Sequence, residues 1–256
     1  MKFTVVIPAR LASTRLARKV LLDIAGKPLI QHVFERCCES DAERIIIATD
    51  HDEIADCARG FGATVCMTAQ THRSGTERLC EVIDSLAIAS EEIVVNVQGD
   101  EPMLAAANIN QVAALMANNP SFQVGTLYSP LSSREDVFDP NVVKVVTDYA
   151  NRALYFSRAP IPWDRERFSS DADFADADCF KKHIGIYAYR AAFVKQYVQM
   201  SAGVLEQLEK LEQLRVLEHG YSIGVAEVVA DPGIGVDSAK DLEEVRKRFA
   251  AMSSGL

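Results

Sequence analysis

The chain has 256 residues, of which 48% are hydrophobic and 25% are charged, and its formal net charge is -9 at pH 7. This composition is typical of a globular protein with a sizeable core, and it excludes intrinsic disorder. The acidic balance argues against broad nucleic-acid binding, which needs a basic surface. No apolar run is long enough to span a membrane, and the first residues, MKFTVVIPAR, lack the apolar segment of a signal peptide. We therefore expect a cytoplasmic protein without membrane insertion.

The six cysteines show no CxxC spacing, and Cys37 and Cys38 are neighbours on a predicted helix. This arrangement predicts neither a zinc site nor a disulfide framework. Reduced thiols that pack as small apolar side chains are the simpler interpretation.

The first 120 residues alternate between strand patterns and helix patterns. Short β-branched segments predict strands at residues 3–9, 44–50, 63–68 and 92–98. Helical patterns lie between them, and Pro28 is placed as the first residue of one helix. Strand, crossover helix and strand in repetition predict right-handed βαβ units and a mainly parallel sheet.

From residue 121 the strand patterns follow one another with little helix between them, at residues 123–130, 141–149, 152–160 and 183–190. This spacing predicts mixed or antiparallel strands, and the polar residues 162–180 predict a loop. A helix over 205–220, a strand over 222–229 and a helix from Ser238 to about Met252 complete the chain. We expect a single domain with three parts, at residues 1–120, 121–230 and 231–256.

In open α/β sheets, ligands bind beyond the carboxyl ends of the strands. Two hydroxyl-bearing residues and four cations follow the first predicted strand: Arg10, Ser13, Thr14, Arg15, Arg18 and Lys19. Guanidinium, ammonium and hydroxyl donors suit phosphate oxygens, so this loop predicts an anion site, with solvated surface charge as the alternative. Neither GxGxxG nor GxxxxGK[ST] is present, so the site is not a standard dinucleotide fingerprint or P-loop.

Two aspartates are candidate Mg²⁺ ligands. Asp100 follows the strand at 92–98, and Asp237 precedes the last helix. Mg²⁺ at a polyphosphate is usually held by one or two protein carboxylates. The plainer alternatives are a turn role for Asp100 and a helix N-cap role for Asp237 or Ser238.

Three further groups have both structural and functional interpretations. Ser74 to Arg78 begin a helix, so they either cap it or receive phosphate or ribose oxygens. Arg158 and His183 flank predicted strands, where they either bind an acidic substrate or serve the fold. On the helix at 205–220, the solvated face is the simplest place for Glu209, Glu212 and Gln213.

Seven motifs occur in order from residue 3 to about residue 248: IPARxxSTRL, HxSGTERL, VNVQGDEP, LYFSRAPIPWDR, HIGIYAYR, LEKLEQLRVL and GVDSAKDLEEVR. Together they closely resemble the 3-deoxy-manno-octulosonate cytidylyltransferase family, the CMP-Kdo synthetases of Gram-negative bacteria. VQGDEP is shared more widely among sugar nucleotidyltransferases, whereas LYFSRAPIPWDR and LEQLRVL are specific to this family.

The resemblance implies an α/β, Rossmann-like nucleotide-diphospho-sugar transferase fold. Its mainly parallel sheet would be flanked by helices. Residues 1–120 would form the nucleotide-binding half, 121–230 a smaller mixed-strand lobe for sugar binding and for a homodimer, and 231–256 a metal-ligand loop and helix. It also implies the reaction: CTP and the acidic sugar 3-deoxy-D-manno-octulosonate (Kdo) give CMP-Kdo and diphosphate, with Mg²⁺, for lipopolysaccharide biosynthesis.

The resemblance also implies site residues at the matching positions. The CTP phosphates would be bound by Arg10, Ser13, Arg15 and Lys19, and cytidine by Ser74, Arg78 and Gln98. Kdo would be bound by Arg158, His183, Tyr187 and Gln213, and Mg²⁺ by Asp100 and Asp237. The groups expected to act most directly on the reacting phosphate are Arg10, Lys19 and Asp100.

One segment departs from the family pattern. Where the family reads STRLPGKPL, this chain reads STRLARKVL, so Ala17, Arg18 and Val20 replace proline, glycine and proline. If the glycine takes a positive φ, arginine there costs on the order of 1 kcal/mol. Lys19 is kept, so we expect activity to survive.

Two alternatives accompany the main hypothesis. One is a cytidylyltransferase for a related acid sugar, such as 8-amino-Kdo or a sialic acid. The other is an inactive nucleotide-binding regulatory protein, and the changed segment at residues 17–20 is the only observation that supports it.

Overall fold

The structure is a computed structural model that describes residues 2–12, 16–72, 74–169 and 179–254. Two of the predicted phosphate ligands, Ser13 and Arg15, lie outside these ranges, as do residues 170–178 of the predicted loop.

The strands are, in chain order, β1 (Phe3–Ala9), β2 (Asp23–Ile24), β3 (Lys27–Pro28), β4 (Arg44–Thr49), β5 (Thr64–Met67), β6 (Ile93–Asn96), β7 (Val124–Pro130), β8 (Lys144–Thr147), β9 (Ala153–Ser157), β10 (Lys181–Arg190) and β11 (Ile223–Glu227). The α-helices are α1 (Leu29–Cys38), α2 (Asp52–Gly60), α3 (Gly75–Ser85), α4 (Ala106–Asn118), α5 (Arg134–Phe138), α6 (Ala191–Tyr197), α7 (Val204–Glu209), α8 (Gln213–Glu218) and α9 (Ala239–Ser254). Two 3₁₀ helices are present at Lys19–Leu21 and Arg167–Ser169. Among the described residues, no helix is both long and apolar enough to cross a bilayer.

The central sheet has the strand order β11-β7-β10-β6-β1-β4-β5, and β8 and β9 extend it from β10. The pairs of β1 with β4, β4 with β5, β1 with β6 and β7 with β11 are parallel, whereas β10 runs antiparallel to both β6 and β7. This arrangement confirms the predicted mainly parallel sheet flanked by helices. The second half of the chain does not form a separate sheet, because β10 pairs directly with β6.

The alternation of β1 side chains divides the core between the two faces of the sheet. Val5 and Ile7 belong to one buried cluster, which α1, α2, α4 and α9 cover. Val6 belongs to the other, which α3, α6 and α8 cover. Such a strand with both faces buried is typical of parallel sheets, and it explains the continuous apolar run at residues 5–9.

The strand order places a switch point between β1 and β6. From β1 the chain continues outward to β4 and β5, and it then returns to place β6 on the other side of β1. The loops after β1 and β6 therefore leave the sheet in opposite directions and form a crevice beyond their carboxyl ends, where α/β proteins bind ligands.

Two predicted helix boundaries are wrong. The single helix predicted over 205–220 is two short helices, α7 and α8, because Lys210 adopts a left-handed conformation with φ 55°. Pro28 is the N-cap of α1 and has extended backbone, so the helix begins one residue later than predicted.

Candidate active site

A cavity of about 330 Å³ opens at the carboxyl ends of β1 and β6, and we call it the strand-end cavity. Its lining includes every predicted nucleotide or metal ligand that the structure describes: Arg10, Lys19, Ser74, Arg78, Gln98, Asp100 and Asp237. Their roles in binding remain predictions, but the fold brings these positions, which are far apart in sequence, to one place.

Lys19 lies at the centre of this cavity. Its ammonium nitrogen is 2.5 Å from Asp100 Oδ2 and 3.1 Å from Asp237 Oδ1. Burial alone would lower the pKa of Lys19, but the two carboxylates outweigh this effect and raise it. Lys19 is therefore a fixed cation that is already shared between two acceptors.

Two backbone features bring the carboxylates together. Gly99 packs so closely on β1 that an added Cβ would lie 2.7 Å from the carbonyl oxygen of Pro8, so a side chain there would displace Asp100. The amide of Val236 donates to the carbonyl oxygen of Asp100 at 2.8 Å, which places Asp237 opposite Asp100. Ser238 and Asp241 cap α9 through reciprocal hydrogen bonds. The N-cap alternative therefore applies to Ser238, whereas the Asp237 carboxylate contacts Lys19.

Ser74 and Arg78 begin α3 and combine a structural role with a place on the cavity wall. Ser74 Oγ accepts a hydrogen bond from the amide of Glu77, so it is the N-cap of the helix. Arg78 is 3% exposed and donates to Asp50 Oδ2 at 2.7 Å and to Thr68. The Ser74 hydroxyl can still donate its own hydrogen to a ligand, because it serves as the acceptor in the cap.

Arg18 has the positive φ that a glycine at this position would supply, with φ 56° and ψ 31°. Its guanidinium donates to Glu53 of α2, and Lys19 enters the strand-end cavity from the next position. Arg18 therefore has a left-handed backbone, and its charge pairs with a neighbouring helix.

A second cavity, of about 340 Å³, adjoins the first along β6 and β10, and Arg10, Gly75 and Gln98 line both. We call it the tyrosine cavity, because its wall includes Tyr187, Tyr189 and Tyr197. Burial is the main cause that raises the pKa of all three phenols, so they are neutral hydroxyl groups at pH 7.

Three of the four predicted sugar ligands line the tyrosine cavity: His183, Tyr187 and Gln213. Burial lowers the pKa of His183 to about 3, so its ring is neutral. Thr126 Oγ1 directs its hydrogen to the carbonyls of Ile184 and Ile186 and lies 3.1 Å from His183 Nε2. Nε2 is thus the protonated nitrogen, and Nδ1 is the hydrogen-bond acceptor.

Arg158, the fourth predicted sugar ligand, contacts the protein itself. Its guanidinium donates to the carbonyl oxygens of Glu209 at 2.7 Å and Pro140 at 2.8 Å. Its own carbonyl accepts from the fully buried Lys144. These contacts connect β8, β9 and α7, and Arg158 is not part of the wall of either cavity described above.

A third cavity, of about 570 Å³, shares Asp100 and Asp237 with the first and His183 with the second. The three cavities therefore form one continuous cleft. Among the described residues, no group of three or more His, Cys, Asp or Glu side chains has the arrangement of a metal site. Asp100 and Asp237 are the carboxylates that line the strand-end cavity.

Comparison with known proteins identifies the family. A family model described as Cytidylyltransferase matches residues 4–223. The chain belongs to this cytidylyltransferase family. Among curated relatives, the 3-deoxy-manno-octulosonate cytidylyltransferase of Pasteurella multocida (strain Pm70) is 53% identical and covers 95% of this chain and 97% of its own. That of Idiomarina loihiensis is 54% identical and covers 96% and 98%.

Solved structures agree with this assignment. A CMP:2-keto-3-deoxy-manno-octonic acid synthetase complexed with CTP superposes with a TM-score of 0.89 at 40% identity and covers 98% of this chain and 100% of its own. A cytidylyltransferase from Leptospira borgpetersenii, at 13% identity and a TM-score of 0.61, shares the fold. It covers 98% of this chain and 87% of its own.

Sequence reasoning missed part of the site of this cytidylyltransferase. Glu212 is exposed, as expected, but it also borders the tyrosine cavity. Gln213, for which a solvated face was the simplest place, is only 8% exposed. Asn96, Tyr189 and Tyr197 also line this cavity and were not singled out. The break at Lys210 places Gln213 there, and no glycine or proline near residue 210 signals it.

Proposed function

We propose that this cytidylyltransferase activates Kdo with CTP and gives CMP-Kdo and diphosphate. The observation that carries the proposal is the convergence of Lys19, Asp100 and Asp237 in the strand-end cavity, directly beside the tyrosine cavity. The names of the relatives and the CTP complex of a 40% identical protein support this assignment.

The two cavities fit the two substrates of a nucleotidyl transfer. The triphosphate of CTP would lie beside Arg10 and Lys19, and Kdo in the tyrosine cavity beside His183 and Gln213. The anomeric hydroxyl of Kdo attacks the α-phosphorus, its proton is released, and the bond to the β-phosphate breaks as diphosphate leaves. Catalysis consists mainly of holding these groups in line and neutralising the negative charge of the phosphates.

Asp100 and Asp237 are suited to hold Mg²⁺, which we include in the proposal. Their oxygens approach one ammonium from two sides, at 2.5 and 3.1 Å, so both carboxylates already converge on a cation. Hard carboxylate oxygens are the protein ligands that Mg²⁺ prefers beside phosphates. When bound, the ion would neutralise phosphate charge and align the oxygens of the triphosphate.

We also propose a homodimer, a cytoplasmic location and a role in lipopolysaccharide biosynthesis. Large apolar side chains are exposed on β9 and α7, namely Leu154 at 59%, Val204 at 69% and Leu208 at 75%. A second copy of the chain would remove such side chains from water, which is favourable. Sedimentation equilibrium should therefore give twice the chain mass, and a monomer at micromolar concentration would contradict the dimer.

A panel of nucleotides and sugars tests the reaction. Diphosphate release is measured with CTP, UTP, ATP or GTP against Kdo, 8-amino-Kdo and a sialic acid, with and without Mg²⁺. We expect release that requires CTP, Kdo and Mg²⁺ together. Faster turnover of another acid sugar would indicate the related-sugar alternative, and absence of release from every pair would overturn the proposal.

The variant Asp100→Asn separates an enzyme from an inactive nucleotide-binding protein. It removes a carboxylate from Lys19 and keeps the shape of the side chain. We expect diphosphate release to fall by at least about 100-fold, because both charge neutralisation and metal binding are lost. Equal behaviour of parent and variant, with CTP bound by both, would favour the inactive protein.

A further inference from the structure

Strand β10 contains a bulge directly after His183. Its register with β7 shifts between Ile184 and Tyr187, where β10 has two residues more than β7. Such a bulge interrupts the ladder of hydrogen bonds between the strands. The side chain of Thr126, on β7, fills the interruption, because its Oγ1 lies 3.1 Å from the carbonyl oxygen of Ile184 and 2.8 Å from that of Ile186.

The Thr126 hydroxyl has one hydrogen and a third neighbour, His183 Nε2, at 3.1 Å. Carbonyl oxygens only accept hydrogen bonds, so the hydroxyl hydrogen is directed to them, and its oxygen accepts the N–H of the ring. If the hydrogen pointed to the ring instead, the lone pairs of Oγ1 would face two carbonyl oxygens. The bulge therefore fixes the direction of the Thr126 hydroxyl, and the hydroxyl fixes the ring proton on Nε2.

Aromatic neighbours hold the His183 ring in the same orientation. Phe156 meets the ring edge-on with the ring centroids 5.1 Å apart, and Tyr187 lies beside it at 5.3 Å. Thr126 is itself fully buried on a strand that pairs with both β10 and β11. The imidazole is thus packed between two rings and anchored through one nitrogen to the interior of the sheet.

The other ring nitrogen, Nδ1, is the polar atom of His183 that a ligand can reach. His183 lines both the tyrosine cavity and the third cavity. Within the described ranges, neither a tyrosine hydroxyl nor any other group forms a hydrogen bond with Nδ1. The one buried and unpaired side-chain nitrogen or oxygen among these residues is Asn96 Oδ1, so Nδ1 is unpaired but accessible.

We propose that Thr126 is a positioning residue for the sugar: it fixes the orientation and the protonated nitrogen of His183, so that Nδ1 accepts a hydrogen bond from a sugar hydroxyl. This inference rests on the proposed function, which takes Kdo to be the occupant of the tyrosine cavity. Thr126 acts only through the ring, because it is fully buried. An analogue without the matching hydroxyl leaves Nδ1 unpaired, so this arrangement contributes to sugar specificity.

NMR of isotopically labelled imidazole nitrogens tests the first step, because protonated and bare ring nitrogens differ in chemical shift. The His183 signals are assigned by their absence from His183→Gln. Near neutral pH the parent should carry the ring proton on Nε2. Thr126→Val keeps the shape of the side chain but leaves Nε2–H without its acceptor. We therefore expect the proton to move to Nδ1, where it can reach water or a ligand.

The kinetic effect should be confined to the sugar. Once Nδ1 is protonated it no longer accepts a hydrogen bond, so kcat/KM for Kdo should fall about 10-fold in Thr126→Val, as for one lost hydrogen bond, with KM for CTP unchanged within about twofold. Thr126→Ser keeps the hydroxyl. It should retain the parental ring proton and a kcat/KM for Kdo within about threefold of the parent.

Thr4 provides a matched control, because it is also a fully buried threonine on a central strand. Its hydroxyl donates to Glu92 at 2.5 Å and accepts from Arg44 at 3.1 Å, at the end of β1 opposite the cleft. Urea unfolding should show a lower midpoint for both Thr4→Val and Thr126→Val. The ring proton and kcat/KM for Kdo should change in Thr126→Val alone.

Four results would overturn the proposal: a parent ring that is charged or protonated on Nδ1, a Thr126→Val ring that keeps its proton on Nε2, a moved proton with unchanged kcat/KM for Kdo, or equal changes in Thr126→Ser and Thr126→Val. The first is measured on the parent, so it applies even if a variant does not fold. Failure of the proposed function has a different signature, since the parent itself would then release no diphosphate from Kdo.

Discussion

The strand-end cavity and the tyrosine cavity differ in the charges of the side chains that line them. In the strand-end cavity the central cation, Lys19, is paired with two carboxylates, and Arg78 is paired with Asp50. The wall of the tyrosine cavity holds three tyrosines and a histidine kept uncharged by burial, together with the charged side chains Arg10, Lys210 and Glu212. A polyanion with bound metal needs fixed charges of both signs, whereas a polyhydroxylated sugar is distinguished by neutral donors and acceptors. The ion pairs of Lys19 and Arg78 thus lie at the strand-end cavity, and the buried phenol and imidazole groups lie at the tyrosine cavity.

The largest expected effect comes from removing the cation of the strand-end cavity. Lys19→Met leaves Asp100 and Asp237 close together without the cation between them. We expect kcat/KM for CTP to fall by at least about 100-fold, because a fixed charge at the phosphates is lost. Diphosphate release at varied CTP measures this. The control Lys27→Met removes an exposed lysine that pairs with Glu35 and should retain parental activity; near-parental activity in Lys19→Met would contradict the assignment.

The pH dependence of stability tests whether His183 in the tyrosine cavity is uncharged. The pKa of His183 is lowered to about 3 in the folded protein, so the unfolded chain takes up a proton at higher pH than the folded one. Stability from this group is complete above its ordinary pKa near 6.5 and is lost as pH falls from there towards 3. Between pH 7.5 and pH 5 the loss should be at most about 2 kcal/mol.

Urea unfolding of His183→Gln at these two pH values isolates that contribution, because glutamine does not titrate and can still donate to Thr126. The variant should lose less stability on acidification than the parent does. His219→Gln, at an exposed histidine, should keep the parental pH dependence. If both variants resemble the parent, the histidine is not held neutral by burial.

Substitution of Arg158 tests whether this side chain binds the sugar or stabilises the fold. Arg158→Met leaves the carbonyls of Glu209 and Pro140 without their donor, so we expect the free energy of unfolding to fall by about 1–2 kcal/mol. Thermal unfolding measures this loss, and KM for Kdo measures sugar binding. A KM unchanged within twofold would contradict its prediction as a sugar ligand.

The smallest effect is expected at the altered phosphate segment. Arg18→Gly relieves a positive φ, which stabilises the chain by about 0.5–1 kcal/mol, and removes an exposed ion pair with Glu53 worth less than that. We expect a slightly raised melting temperature and kcat/KM for CTP within about threefold of the parent. Lys210→Gly, at the other positive φ described above, is the matched control for the backbone effect. A tenfold change in activity for Arg18→Gly alone would place the guanidinium at the nucleotide.

The strands and helices of the first half were predicted correctly because residues within each segment mark it as a strand or a helix. The apolar run of β1 and the β-branched β4 and β6 stand between clear helix signals, and their order dictates a parallel sheet. Two carboxylates near one cation were harder to anticipate. Asp100 and Asp237 each look like a turn or cap residue in sequence, and the sequence connected them only as candidate ligands of one metal ion before the structure placed both on Lys19.

The second half was predicted less well because its conformation depends on contacts between distant segments. The helical pattern at 205–220 is continuous, yet Glu209 binds Ser157 and the backbone of Arg158, and the chain turns at Lys210. That turn places Gln213 in the tyrosine cavity. Asn96 illustrates the same limit, since one polar residue at a strand end gives no pattern that a sequence alone can interpret.

The hydrogen bond from the Val236 amide to the Asp100 carbonyl also has a temporal consequence. The parallel strands around β1 can assemble while the ribosome is still making the later part of the chain, but the second carboxylate belongs to residue 237. The complete pair therefore cannot form before synthesis has passed that residue. On a nascent chain that stops short of residue 237, the Lys19 ammonium has Asp100 but not Asp237 beside it.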